Sequence, residues 1–226
     1  MPNPAKLSCV LFDLDGTLVD TAPDLIACLN EALVHYGLPA AAPEKIKPYI
    51  SHGAKAMIAG SLTAPLDEKT QTRILDFLHD CYQRNIAKQS AFFAGMPETL
   101  EAIEALGLKW GIVTNKLARF TKPLTDALNL TGRAACIISG DTAAKPKPYP
   151  EPMWAACAKA GVKPEECVYI GDAVHDIAAG KNARMKTLAA LYGYLNPDDR
   201  PETWGADALI ASPRHIFQWI EANQCP

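Results

Sequence analysis

Two acidic groupings stand at the ends of apolar runs. Asp13-Leu14-Asp15-Gly16-Thr17 closes the run Ser8 to Phe12, and Gly171-Asp172-x-x-x-Asp176 closes the run Cys167 to Ile170. Side chains two residues apart in an extended chain project to the same side. Asp13 and Asp15 would therefore repel unless a cation, a shared proton or a basic neighbour intervenes. Gly16 permits the turn that follows. Asp172 and Asp176 lie one helical turn apart if a helix has begun there. Taken singly, the first group also reads as a strand-ending turn and the second as an N-cap with an acid in the first turn. Taken together, three or four carboxylates at the ends of adjacent strands call for a divalent cation. An oxygen-only donor set suits Mg²⁺, which keeps several waters and accepts a substrate phosphate oxygen.

Phosphate chemistry also needs positive charge and hydrogen-bond donors. Lys147 lies in Lys145-Pro146-Lys147-Pro148-Tyr149-Pro150, where prolines give a lysine a fixed direction at low entropic cost. It also reads as a solvated lysine in a turn. Thr114-Asn115 ends the run Trp110 to Thr114 and could donate a hydroxyl and a backbone N–H to phosphate oxygens, or simply cap the next helix.

These residues need a scaffold that brings distant strand ends together. Short apolar runs alternate with amphipathic helical patterns, which predicts an α/β parallel sheet. Strands are expected at 8–12, 110–114, 136–139, 167–170 and 187–191, with a short edge strand at 208–210. Helices are expected at 97–106, 120–128, 152–160, 174–183 and 213–222. Between the first two strands no strand-like run occurs. Leu25, Ile26, Leu29, Leu33 and Tyr36, then Ile74, Phe77, Leu78, Cys81 and Tyr82, recur at helical spacing instead. Residues 21–91 are thus expected to form an all-helical insert in a core made of 1–20 and 92–226. Rooted beside the first strand's C-terminal end, where open α/β sheets bind ligands, it is placed to act as a lid.

The composition excludes some partners. A chain of 226 residues with formal net charge -3 lacks the basic surface that nucleic acid or an anionic membrane requires. No stretch approaches the roughly 20 apolar residues of a membrane helix. The run Leu7 to Leu14, broken by Ser8 and Asp13, does not read as an export signal. The 7 cysteines form no C-x-x-C pair, as expected for reduced, mostly buried thiols in the cytoplasm.

DLDGT, TN, a lysine before a Pro-rich helix start and GDxxxD, in that order, resemble the haloacid-dehalogenase superfamily of phosphatases over essentially the whole chain. That resemblance implies a Rossmann-like core with an inserted helical cap and an aspartyl-phosphate mechanism. Asp13 would be the nucleophile and Asp15 the general acid and then base. Thr114 would hold the phosphoryl group and Lys147 would balance charge. Asp13 and Asp172 would ligate Mg²⁺ by side chains and Asp15 by its backbone carbonyl. Asp176 would be a ligand or a partner of Lys147, with Gly16, Thr17, Asn115 and Gly171 in support. Lys145 is the rival lysine. Lys147 is preferred because the KPxPxP pattern runs on into Glu151-Pro152 at the usual separation from Gly171. Arg184 stands where relatives usually carry glycine.

The insert resembles the cap of the phosphoglycolate phosphatase-like branch, with Ser51-His52-Gly53-Ala54-Lys55 in place of a Gly-rich turn over the substrate. Tyr82-Gln83-Arg84, Phe93-x-Gly95-Met96-Pro97, Tyr192-Gly193-Tyr194 and Trp204 to Asp207 resemble the bacterial N-acetylmuramic acid 6-phosphate phosphatases. Both branches imply a small phosphate ester that carries a carboxylate, for which Lys55 and Arg84 are the cap candidates. A phosphomutase, a broad sugar-phosphate phosphatase and a non-catalytic phospho-receiver are the alternatives. Oligomeric state stays open between monomer and dimer.

Overall fold

The computed structural model describes residues 6–224, so Cys225 lies outside them. The central strand is β1 (Cys9–Phe12), whose four residues are all buried. It alternates between two cores, as a pleated strand must. Val10 and Phe12 join a cluster on one side, and Cys9 and Leu11 a cluster on the other. A strand covered on both faces leaves no place for a polar residue until it ends, which is why β1 stops at Asp13.

In chain order the remaining elements are β2 (Val19–Asp20), α1 (Ala22–His35), α2 (Pro43–Ile46), a 3₁₀ segment (Lys47–His52), α3 (Ala54–Ser61), α4 (Glu68–Asn85), β3 (Ala91–Phe92), α5 (Met96–Ala105), β4 (Lys109–Val113), α6 (Ala118–Ala127), β5 (Cys136–Ile138), α7 (Glu151–Ala160), β6 (Cys167–Gly171), α8 (Val174–Asn182), β7 (Lys186–Ala190), β8 (Ala208–Ile210) and α9 (Pro213–Gln224). The main sheet has six parallel strands in the order β5-β4-β1-β6-β7-β8. Residues of α5, α6 and α9 cover the Val10 face, and residues of α7 and α8 the Cys9 face. The chain runs outward from β1 through β4 to β5, then returns to the other side of β1 for β6, β7 and β8. The ends of β1, β4 and β6 therefore meet where the strand order reverses.

The insert has its own core. Ile26, Leu29 and Leu33 of α1 pack with Ile74, Leu78, Cys81 and Tyr82 of α4, and Phe120 and Tyr194 of the sheet-bearing part join them. One expectation needs correction here. Residues between β1 and β4 do include strands: β2 and β3 pair antiparallel, Val19 with Phe92 and Asp20 with Ala91, as a stem at the root of the insert. Two residues per strand are too few to show any periodicity.

Arg184 adopts φ +66°, a left-handed conformation that penalises any Cβ, and its side chain is exposed. Arg184→Gly is expected to stabilise the protein by about 0.5–1 kcal/mol, because relief of strain exceeds the added freedom of the unfolded chain. Denaturant midpoints of the two proteins measure this.

Candidate active site

Asp13, Thr114 and Asp172 each sit one step beyond a strand of the sheet. The Asp13 N–H continues the sheet ladder by donating to the Ile170 carbonyl at 2.8 Å, which fixes its side chain at the open edge of the sheet. Asp13 is 4% exposed and accepts a hydrogen bond on Oδ1 from Lys147 Nζ at 2.8 Å. That ammonium is also buried, and donates to Asp176 Oδ1 at 2.6 Å, Tyr169 Oη at 2.9 Å and the Val113 carbonyl at 3.2 Å. Lys145, by contrast, has a largely exposed side chain that lies over the Tyr149 ring and reaches Glu151 at 3.5 Å.

The loop carrying Lys147 is clamped by Asn115. The Asn115 Oδ1 accepts from the Lys147 N–H at 2.9 Å, and its Nδ2 donates to the Lys147 carbonyl at 3.1 Å. Thr114 is buried and its Oγ1 accepts from the Lys116 N–H at 3.1 Å. It is not the N-cap of α6, a position held by Leu117.

Asp172 lies across from Asp13 and is 1% exposed. Its Oδ1 accepts from Thr17 Oγ1 at 3.0 Å, and its Oδ2 accepts from Ser51 Oγ and from the Tyr194 N–H, both at 2.8 Å. Gly16 (φ +84°) makes this contact sterically feasible, since a Cβ there would stand 2.3 Å from Asp172 Oδ2. A Cβ on Gly171 would meet the Cβ of Asp176 at the same distance. Asp172 precedes helix α8, so it does not share a helix face with Asp176 as the spacing implied. The two carboxylates still converge, because Asp176 folds back to accept the Ala173 N–H at 3.0 Å.

The carboxylates of Asp13, Asp172 and Asp176 offer oxygens within 4.8 Å of one another, all buried. Three acids thus lie around one buried lysine, which pairs with two of them, Asp13 and Asp176. Asp176 claims it: burial works against the ionised carboxyl, but Lys147, with His175 and the Ala173 N–H, outweighs burial and holds its pKa below the usual range. Lys147 in turn stays charged, since Asp13 and Asp176 overcome the burial that would neutralise it. Asp13 is left short of positive charge, and burial pushes its pKa up to about 8 despite Lys147. Burial, helped by Asp176, pushes Asp172 up to about 7. Three buried carboxyl groups with a single lysine between them, all offering oxygen, are a donor set that a hard divalent cation fits, because the ion supplies the positive charge that lets the acids ionise together.

Asp15 has a different neighbour. Its Oδ1 accepts from Lys116 Nζ at 2.9 Å and from Thr21 Oγ1. Each acid of the Asp13–Asp15 pair therefore faces its own lysine, which removes the repulsion that their spacing predicts. Lys116 was not singled out in the sequence. A lysine three residues past a strand carries no signal beyond its nearness to Thr114-Asn115.

The insert reaches the site through the 3₁₀ segment that carries Ser51 and His52. The His52 ring is exposed and lies 6.2 Å, edge to face, from that of His175, which is half-buried beside Asp176. Gly53, at φ +89°, opens α3. Lys55 and Arg84 are exposed on α3 and α4. Tyr192 and Tyr194 serve packing and positioning: Tyr194 Oη donates to Asp20 and accepts from the Thr21 and Ala22 N–H groups. Tyr192 Oη donates to the Thr17 carbonyl.

Among the described residues no helix is long and apolar enough to cross a membrane. Six free cysteines are buried within them. The haloacid dehalogenase-like hydrolase family matches residues 10–190. An N-acetylmuramic acid 6-phosphate phosphatase of Pseudomonas aeruginosa is 39% identical over 220 residues, 97% of each chain. A phosphoglycolate phosphatase of Xanthomonas campestris is 38% identical over 209 residues, covering 92% of this chain and 94% of that one. The crystal structure of a "predicted phosphoglycolate phosphatase" from Haemophilus somnus superposes with TM-score 0.83 at 26% identity, covering 97% of this chain and 99% of that one. With this match spanning the sheet, its strand-end acids and the insert, the chain belongs to the haloacid dehalogenase-like hydrolase family, on its phosphatase branch.

Proposed function

We propose that this enzyme hydrolyses a small, carboxylated phosphate monoester, 2-phosphoglycolate or N-acetylmuramic acid 6-phosphate, with Mg²⁺ and through an aspartyl-phosphate on Asp13. The observation that carries this reading is the buried contact of Asp13 with Lys147, with Asp172 gathered beside it. The names of the relatives support the substrate class.

An oxygen of Asp13 attacks phosphorus while the ester bond to the leaving alcohol breaks, and Asp15 gives that alcohol its proton. Water then loses a proton to Asp15 and attacks the phosphoryl group, releasing phosphate and restoring Asp13. Lys147 and the Thr114 hydroxyl hold the phosphoryl oxygens, and Lys147 keeps the nucleophile oriented. The side chains of Asp13 and Asp172, with the Asp15 backbone carbonyl, would hold Mg²⁺. When bound, it supplies positive charge to the transferring group. Asp176 positions Lys147, Asn115 fixes its loop, and Thr17 orients Asp172. The insert, residues 21–91, serves as the substrate lid, and the cytoplasm is the proposed compartment.

Purified protein with Mg²⁺ is expected to release phosphate from an aryl phosphate, to lose this with EDTA and to recover it when Mg²⁺ is restored. Its melting temperature is expected to rise with Mg²⁺, since an ion that binds only the folded state stabilises it. No turnover with any divalent ion, or a stably phosphorylated protein, would count against hydrolysis and for a receiver. A panel of the two carboxylated esters and neutral sugar phosphates ranks the substrates.

A further inference from the structure

The mechanism leaves two polar groups of the site unused. Tyr82, on α4 of the insert, is 2% exposed, yet its hydroxyl has no hydrogen-bond partner. Its ring lies 4.5 Å from Lys116 Nζ, which approaches the ring face. Lys116 is itself buried to 8% side-chain exposure and makes one side-chain hydrogen bond among the described residues, to Asp15. An ammonium has three donors and a phenol one, and a lysine accepts nothing. With one ammonium hydrogen on Asp15 and one directed at Tyr82, a third ammonium hydrogen and the phenol hydrogen are left without acceptors at the seam between insert and sheet.

A buried, unmatched donor is costly, and two together call for a group that only accepts. Burial holds the Tyr82 hydroxyl above its ordinary pKa, so it stays a donor. The position narrows the choice further. Lys116 grips the acid proposed to protonate the leaving oxygen. Groups one or two bonds from that oxygen must therefore lie beside Lys116, while the phosphoryl group lies at Asp13 and Lys147. A neutral hydroxyl or amide would bring further donors. A carboxylate brings only lone pairs and a charge that matches the ammonium.

Resting on the phosphomonoesterase reading, we propose that Lys116 and the Tyr82 hydroxyl form the subsite that receives the carboxylate of a 2-hydroxy-acid leaving group, as in 2-phosphoglycolate, whose carboxyl carbon lies two bonds from the ester oxygen. They are specificity-determining residues, one from the sheet and one from the insert. Lys55 and Arg84 are exposed and offer no such enclosed donor pair.

The test is equilibrium binding in an Asp13→Asn background with Mg²⁺, comparing 2-phosphoglycolate with 2-hydroxyethyl phosphate by calorimetry. The carboxylated ester is expected to bind at least tenfold tighter, since the neutral one leaves donors unpaired, as in other sites built to bond a polar group. Tyr82→Phe, which removes one oxygen and keeps the ring, is expected to shrink that preference about tenfold. Lys116→Gln is expected to abolish it. Equal binding of both esters by the parent, or a preference that survives both substitutions in folded protein, overturns the subsite. Absence of phosphate release by the unsubstituted enzyme is scored separately and overturns the hydrolase reading instead.

Discussion

Asp13→Asn is expected to lower phosphate release by about 10⁴-fold or more, the scale seen when a covalent nucleophile is removed, without unfolding the protein. The two parts of this result have separate causes. The amide cannot form the acyl phosphate, so the path through a covalent intermediate closes. The amide is, however, close in size to the carboxyl and carries no charge. Asp13 is buried with its pKa pushed up to about 8, so the folded protein without metal already resists its ionisation. A neutral isostere there removes a desolvation penalty. The melting temperature at pH 8, measured in EDTA, is expected to hold or rise while turnover disappears. A variant that turns over at the parental rate would end the assignment of Asp13 as nucleophile.

Lys147→Met is expected to cost stability as well as activity. The ammonium is the shared counter-charge of Asp13 and Asp176, both buried. Removing one partner of a buried ion pair leaves an unpaired charge, a loss of roughly 3–5 kcal/mol. The methionine fills the volume, so the loss would report charge rather than a cavity. Phosphate release should fall with it, because among the described residues no other side chain bonds Asp13 Oδ1. Lys145→Met makes the control. Its ammonium is exposed and its pairing to Glu151 is loose, so a change within about 0.5 kcal/mol is expected. Urea denaturation of the two variants separates the lysines, and equal losses would show that burial does not distinguish them.

Much of this architecture was legible in the chain because burial on both faces forces a strand to be apolar and forces its first polar residue to its end. Phe12-Asp13, Val113-Thr114 and Gly171-Asp172 are such boundaries, and the six-stranded sheet gathers them. Helices α1 and α4 were visible for the related reason that an amphipathic face must repeat every three or four residues. What escaped was set by geometry across the chain. The β2–β3 stem is too short to carry a pattern. The Asn115 clamp on Lys147 joins residues 32 apart, and spacing of that kind has no local signature. Lys116 takes its role from the fold, which encloses it against Asp15 and Tyr82. The helix-face reading of Asp172 and Asp176 failed because α8 starts two residues after Asp172, and capping rather than helical phase turns Asp176 inward.

The two-residue stem has a consequence for how such chains vary. Because Asp20 and Ala91 are paired neighbours, everything between them leaves and re-enters the sheet-bearing part at one doorway. The distance between the doorposts does not depend on the length of the excursion. Closing a longer excursion over the same gap adds only about 0.6 kcal/mol for each doubling. Lengthening that excursion therefore costs little in closure entropy, and what the strand ends lose when it changes is confined to the contacts it makes with them, such as Ser51 on Asp172 and Tyr82 on Lys116.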